Sequence, residues 1–121
     1  MSGIQQGEQE RPTLLVPAFF MYYIYILYSR IADKFYVGYS DNPQRRLIEH
    51  NTKPFNTYTS KHRPWILRAV FQCGETEADA VKMERFIKRQ NSRKLIERLC
   101  DLNFLPTGFL AQLVRVPHLR D

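Results

Sequence analysis

Cysteine is scarce in this sequence. Its two cysteines, Cys73 and Cys100, lie far apart and in no metal-ligand spacing. That argues against a disulfide framework and a cysteine-built zinc site, and fits a reducing compartment such as the cytoplasm. Long apolar runs are lacking too. The longest stretch, Thr13 to Tyr28, contains Pro17 and the tyrosines Tyr22, Tyr23, Tyr25 and Tyr28, and is short for a membrane span. The segment before it carries Glu8 and Glu10 against a single Arg11, the wrong flank for a secretory signal. No internal repeat is present. The expectation is a soluble, cytoplasmic protein that does not engage a membrane.

The 121 residues suffice for one domain and not for two, and 44% of them are apolar, enough for an ordinary core. Charge is lopsided: 18 Lys plus Arg face 12 Asp plus Glu, a net of +6. From Met21 to Asp101 there are 15 basic and 9 acidic residues, so the whole excess sits in the middle of the chain. A basic domain favours a polyanionic partner, because each phosphate contact releases bound counterions. Mild basicity also serves solubility alone, so charge tilts the reading toward nucleic acid only modestly.

Residues 1–12 are polar and without period, and read as a flexible tail. Tyr22 to Tyr28 is β-branched and aromatic, a buried strand. Ser29 to Asp33 reads as a turn, and Lys34 to Tyr39 as a second strand completing a hairpin. Asn42 can cap a helix whose first residue is Pro43 and which runs to about His50. Asn51 to Arg63 reads as a loop and Trp65 to Gln72 as a third strand. A second helix starts at Thr76-Glu77-Ala78-Asp79 and ends near Arg89. Ser92 can cap a third helix carrying Leu95, Ile96 and Leu99. The expected class is α+β: a small three-stranded antiparallel sheet flanked by helices, in the order β-β-α-β-α-α.

Tyr23-Ile24-Tyr25 followed by Tyr36-Val37-Gly38 resembles the pair of tripeptides that names the GIY-YIG nucleases. Arg46 follows Tyr36 at the family's arginine spacing. The strings Arg45 to Asn51, Thr59 to Trp65, Ala80 to Lys88 and Ser92 to Glu97 are similar to those of its small single-domain members. The resemblance spans Met21 to Asp101. It implies a divalent-metal-dependent endonuclease acting on DNA phosphodiester bonds, structure-selective and in repair or recombination. It also implies a partner protein that supplies targeting.

The resemblance assigns the catalytic set Tyr25, Tyr36, Arg46, His50 and Glu84. Tyr25 and Tyr36 fall on neighbouring strands, where their hydroxyls can converge to hold or deprotonate a water. A free tyrosine has a pKa of ~10, so a base role needs a nearby cation. Either could be the base. Arg46 and His50, four apart, share a helix face. Arg46 would stabilise charge on the scissile phosphate, and His50 would accept a proton or orient water. Without the resemblance, that face reads as solvated, with Arg45 and Glu49 an ordinary surface pair. Glu84 borders the apolar row Ala80, Met83 and Ile87, where a carboxylate must be paired or bind a metal. The alternatives are a salt bridge to Lys88 or Arg46, and the role the family implies, binding magnesium or manganese. Lys61, Arg63, Lys88, Arg89, Arg93 and Lys94 are candidates for backbone phosphate contacts.

Two departures stand out. Tyr23 replaces the glycine of the first tripeptide. The asparagine that many relatives carry beyond the metal glutamate falls here near Ile96, with Asn91 the nearest asparagine. A rival class is a nucleic-acid-binding module with little or no catalysis of its own. RNA ranks below DNA because the aromatic platform motif of common RNA binders is missing.

Both ends are expected to be extraneous. Small members begin with Met-Tyr, and Met21-Tyr22 stands in that place, so residues 1–20 read as a dispensable extension. Leu102 to Asp121 reads as a tail of doubtful function. Leu110 to Arg115 resembles the translated D-arm of a transfer-RNA gene; the alternative is a short amphipathic helix, Phe109 to Val116, docked on the sheet.

Overall fold

The computed structural model describes residues 21–54 and 57–116. The expectations for residues 1–20 and for the last five residues of the tail lie outside them. Strands β1 (Tyr22–Ser29) and β2 (Lys34–Ser40) form the hairpin, in register with Tyr25 opposite Gly38 and Leu27 opposite Tyr36. Asp33 in the turn adopts a positive φ of 54°, which aspartate tolerates better than most residues. Helix α1 (Pro43–Thr52) follows, with the Asn42 side chain accepting from the Arg45 N–H and Pro43 in the first turn. The expected loop then contains a one-turn helix, α2 (Tyr58–Lys61), closed by a reciprocal capping box between Thr57 and Ser60.

Strand β3 (Trp65–Gly74) pairs antiparallel with β1. Helices α3 (Glu77–Arg89) and α4 (Arg93–Leu99) start on Thr76 and Ser92, whose side chains accept from backbone N–H groups. The tail does not stay outside this domain. A 3-10 turn over Gly108–Gln112 leads into a two-residue strand, β4 (Val114–Arg115), which pairs antiparallel with Phe71 and Gln72 of β3. The sheet order is therefore β2-β1-β3-β4. The α+β class and the three-stranded centre are as expected, with a short fourth strand added at one edge.

Alternation along β1 sends Ile24 and Ile26 to one face and Tyr25 and Leu27 to the other. The first face packs against Ala80, Met83 and Ile87 of α3, with Leu99, Cys100, Leu110 and Leu113 completing that core. The second holds Trp65, Leu67, Val70 and Val116, with Leu47 of α1 against it. Leu67 and Ala69 are two residues apart yet belong to opposite faces. The cause is a register shift against β1 between Ile26 and Leu27, which skips Arg68 and reverses the alternation. Both Cys73 and Cys100 are free and buried. No helix among the described residues is long and apolar enough to cross a membrane.

Candidate active site

β2 is an edge strand, with α1 and α3 both packed near it. At this edge a single concavity is lined by Tyr25, Tyr36, Gly38, Arg45, Arg46, Glu77 and Glu84. A second cleft of about 330 Å³ adjoins it, lined by Tyr36, Arg46, Glu49, His50, Lys53, Tyr58, Thr59 and Arg63. Four of the five expected catalytic residues thus meet in the first concavity, and His50 reaches it through Tyr25.

The hairpin register explains the tyrosines. Tyr25 and Gly38 face each other across the strands, so the Tyr25 ring lies over the Gly38 backbone. A Cβ at Gly38 would sit 2.5 Å from the Tyr25 hydroxyl and 2.6 Å from Cζ. The glycine is there for space, since its backbone is ordinary. Tyr25 is 1% exposed, and its hydroxyl lies 2.9 Å from His50 Nε2. Tyr36 stands beside it, with ring centroids 6.3 Å from Tyr25 and 4.8 Å from His50. Among the described residues the Tyr25 hydroxyl has a fixed protein partner, whereas Tyr36 contacts its neighbours through its ring.

His50 is not the solvated residue that an isolated helix face suggests. It is buried, and its Nδ1 lies 2.9 Å from Thr59 Oγ1. Both ring nitrogens are therefore engaged: His50 accepts from one hydroxyl and donates to the other. Burial, then the Arg46 charge, lowers its pKa to about 4, so it is neutral at pH 7. Burial, then neighbouring Tyr36, raises the Tyr25 pKa well above the ordinary phenol value, against the pull of Arg46. Both groups thus hold their neutral forms before substrate arrives. Burial opposes the Arg46 charge, but hydrogen bonds to Glu49 and Tyr25 outweigh it and raise its pKa. Arg46 also pairs with Glu49, which reaches Arg45 as well at 3.6 Å.

Glu84 projects from the polar flank of α3, with its side chain 19% exposed and 3.5 Å from Lys88. The Lys88 ammonium also lies over the Tyr36 ring, 5.5 Å from its centroid. The salt-bridge alternative is thus realised with Lys88, beside Tyr36. Among the described residues no group of three His, Cys, Asp or Glu side chains could cage a metal. Glu84 offers a single carboxylate to the concavity that Arg46 also lines. That suits a hard cation such as Mg2+, which keeps waters and takes phosphate oxygens as further ligands.

The proposed phosphate contacts divide. Lys88 borders the site through its contacts with Glu84 and the Tyr36 ring and lines a third concavity. Arg63 lines the adjoining cleft, but its guanidinium donates to the carbonyls of His50 (2.6 Å) and Lys53 at the end of α1. Arg93 binds Asp33 at 2.7 Å and Glu97 at 3.1 Å and lies over Phe35, fastening α4 to the hairpin turn. It lines that third concavity with Lys34, Tyr36, Tyr58 and Lys88. Lys61, Arg89 and Lys94 are exposed on α2, α3 and α4 and line none of these three clefts. Asn91 has a φ of 47° just past the end of α3, a backbone role that suits asparagine. Sequence reasoning missed Thr59, Lys53 and Tyr58. The local signals near Thr59 and Tyr58 are the family-like string from Thr59 to Trp65 and the Thr57-to-Ser60 capping pattern, which places the one-turn helix but not what it faces.

Comparison with known proteins identifies the family. The model of the GIY-YIG catalytic domain matches residues 21–97. A UPF0213 protein of Limosilactobacillus reuteri is 32% identical over 81 residues, covering 66% of this chain and 83% of the relative. One from Haloquadratum walsbyi is 31% identical over 85 residues, 68% of this chain and 93% of the relative. A third, from Enterococcus faecalis, is 37% identical over 70 residues, 56% and 77% of the two chains. Both tripeptides, the α1 arginine and the α3 glutamate lie inside the matched span, and the chain belongs to the GIY-YIG family of nuclease domains.

Proposed function

We propose that the protein is a divalent-metal-dependent endonuclease that hydrolyses DNA phosphodiester bonds. The observation that carries this reading is the concavity at the β2 edge. Its lining brings together a carboxylate, Glu84 of α3, a guanidinium, Arg46 of α1, and the tyrosines Tyr36 and Tyr25. A phosphodiester seated there would meet both a cation and a carboxylate able to bind a metal. Glu84 would hold Mg2+ or Mn2+, which when bound supplies Lewis-acid stabilisation of charge on the phosphate and on the leaving oxygen.

The protein's own residues do the rest. Arg46 donates its planar fork to the non-bridging oxygens as charge builds there. Its pairing with Glu49 keeps that fork aimed until substrate competes for it. The water is held by the tyrosine hydroxyls. The proton it loses passes to Tyr25, whose own proton moves to His50 Nε2 along the 2.9 Å hydrogen bond. Thr59 holds the His50 ring from behind and fixes its orientation. No covalent intermediate is required.

The test is a panel of labelled linear and branched DNAs incubated with the purified protein and its Glu84→Ala form, with magnesium and with a chelator. Cleavage that needs both Glu84 and magnesium is expected, with DNA affinity equal or higher in the variant. Equal cleavage by the variant in chelator overturns the reading. DNA binding with no cleavage by the unaltered chain on any substrate would favour a binding module instead.

A further inference from the structure

We infer that Tyr58 forms a nucleobase subsite, on which an unpaired base next to the scissile phosphate stacks. This rests on the nuclease reading and extends it to the class of substrate. Tyr58 is 47% exposed, high for an aromatic side chain at the centre of a cluster. Its ring is nearly parallel to Tyr36, at 28° with centroids 6.5 Å apart. It also meets the His62 ring at 4.9 Å and the Trp65 ring at 6.1 Å. The support is fixed. Trp65 is 2% exposed, and its indole N–H donates to the Thr59 carbonyl at 2.7 Å. The Thr57–Ser60 capping box holds the helical turn that carries Tyr58. The result is an aromatic shelf braced by buried groups and open to solvent.

Its position relates it to the chemistry. Tyr58 lines the cleft that contains Arg46, His50 and Lys53, and also the concavity that contains Lys34, Lys88 and Arg93. Tyr36 lines both and the Glu84 concavity as well. A strand whose phosphate lies between Arg46 and Glu84 therefore carries a neighbouring nucleotide over Tyr36 and Tyr58, with cations along either side for its phosphates. Inside a duplex both faces of a base are covered by its neighbours. Only an unpaired or extruded base offers a π-face to a side chain. The shelf thus selects DNA that is single-stranded, or opened, beside the cut, and does so without reading sequence, since every base has such a face.

The test uses the full chain carrying Glu84→Ala, so that substrate survives, and a short single-stranded oligodeoxynucleotide containing 2-aminopurine, with a blunt duplex of the same sequence beside it. Stacking on Tyr58 quenches the 2-aminopurine emission on binding. Tyr58→Ala should restore that emission and weaken single-strand binding about tenfold, the scale of one base–aromatic stack. The duplex should lose less than about twofold. Tyr58→Trp, which keeps a ring on α2, should retain both the quench and the preference, and guards against a variant that fails to fold. Unchanged emission and affinity in Tyr58→Ala overturn the proposal, as does equal weakening of single strand and duplex. Failure of the chain with Glu84 intact to cleave any DNA would count against the nuclease reading and leave the stacking readout standing.

Discussion

Replacing Gly38 by alanine perturbs the site through one methyl group. The added Cβ would lie 2.5 Å from the Tyr25 hydroxyl, 2.6 Å from Cζ and 3.0 Å from Cε2. Tyr25 cannot retreat, because it is 1% exposed and its hydroxyl is tied to His50. Overpacking of this kind costs about 1–3 kcal/mol. If the ring swings aside, His50 loses a buried partner, at about 1–3 kcal/mol more. A total of roughly 3 kcal/mol would lower the melting temperature of a domain this size by about 12–24 °C. Thermal unfolding followed by circular dichroism measures that, and cleavage below the transition measures the displacement of Tyr25. Gly108→Ala is the comparison. Nothing lies within 4 Å of a Cβ there, but φ is +63°, so its cost is backbone strain of about 1–2 kcal/mol, with cleavage untouched. If Gly38→Ala melted within about 3 °C of the unaltered protein and cleaved at full rate, the Tyr25 ring could not be seated over Gly38.

Three further outcomes are expected. Arg46→Lys keeps a charge but loses the fork, so turnover should fall by about a hundredfold, while KM moves by about threefold or less; full turnover would show that a point charge suffices. His50 has a folded pKa lowered from 6.5 to about 4, so the unfolded chain binds the extra proton in that window. Its contribution, up to roughly 3 kcal/mol at 1.36 kcal/mol per unit, is complete above pH 6.5 and is lost as pH falls toward 4. Urea titrations should show that slope and its disappearance in His50→Gln. A chain ending at Asp101 loses Leu110, Leu113 and Val116, all buried, at about 1.5–3 kcal/mol each. It should melt far below the full chain or not fold, and an unchanged melting temperature would show that the tail packs without stabilising.

Much of the fold was legible because it is written locally. The hairpin follows from aromatic and β-branched runs on either side of a short turn, and each helix start from a side chain that caps it. Motif spacing singled out Tyr25, Tyr36, Arg46 and Glu84, which line one concavity. What was not legible depends on distant partners. His50 lies on a helix face that reads as solvated. Its burial comes from Tyr25 on a strand and from Thr59, which belongs to a stretch whose polar composition reads as loop. Arg63 reads as a phosphate contact because nothing local shows that the carbonyl end of α1 will claim its guanidinium.

The largest difference, the docking of the tail, has the same origin and bears on the site. Val114 and Arg115 are too few to carry a strand pattern; what makes them a strand is the ten-residue β3 beside them. An unpaired strand of that length presents a row of open N–H and C=O groups. Val114 and Arg115 pair with its Phe71 and Gln72, the Val116 N–H donates to the Val70 carbonyl at 2.9 Å, and the Arg115 guanidinium lies 4.6 Å from the Phe71 ring centroid. Among the described residues the opposite edge, β2, gains no strand. There α1 and α3 close in from the two faces and leave between them the opening that holds Tyr36, Arg46 and Glu84. A further strand on β2 would compete for the space in which, on the proposed function, substrate would lie. The covered edge stabilises the sheet, and the other edge is where, on the proposed function, a phosphodiester would approach the tyrosines.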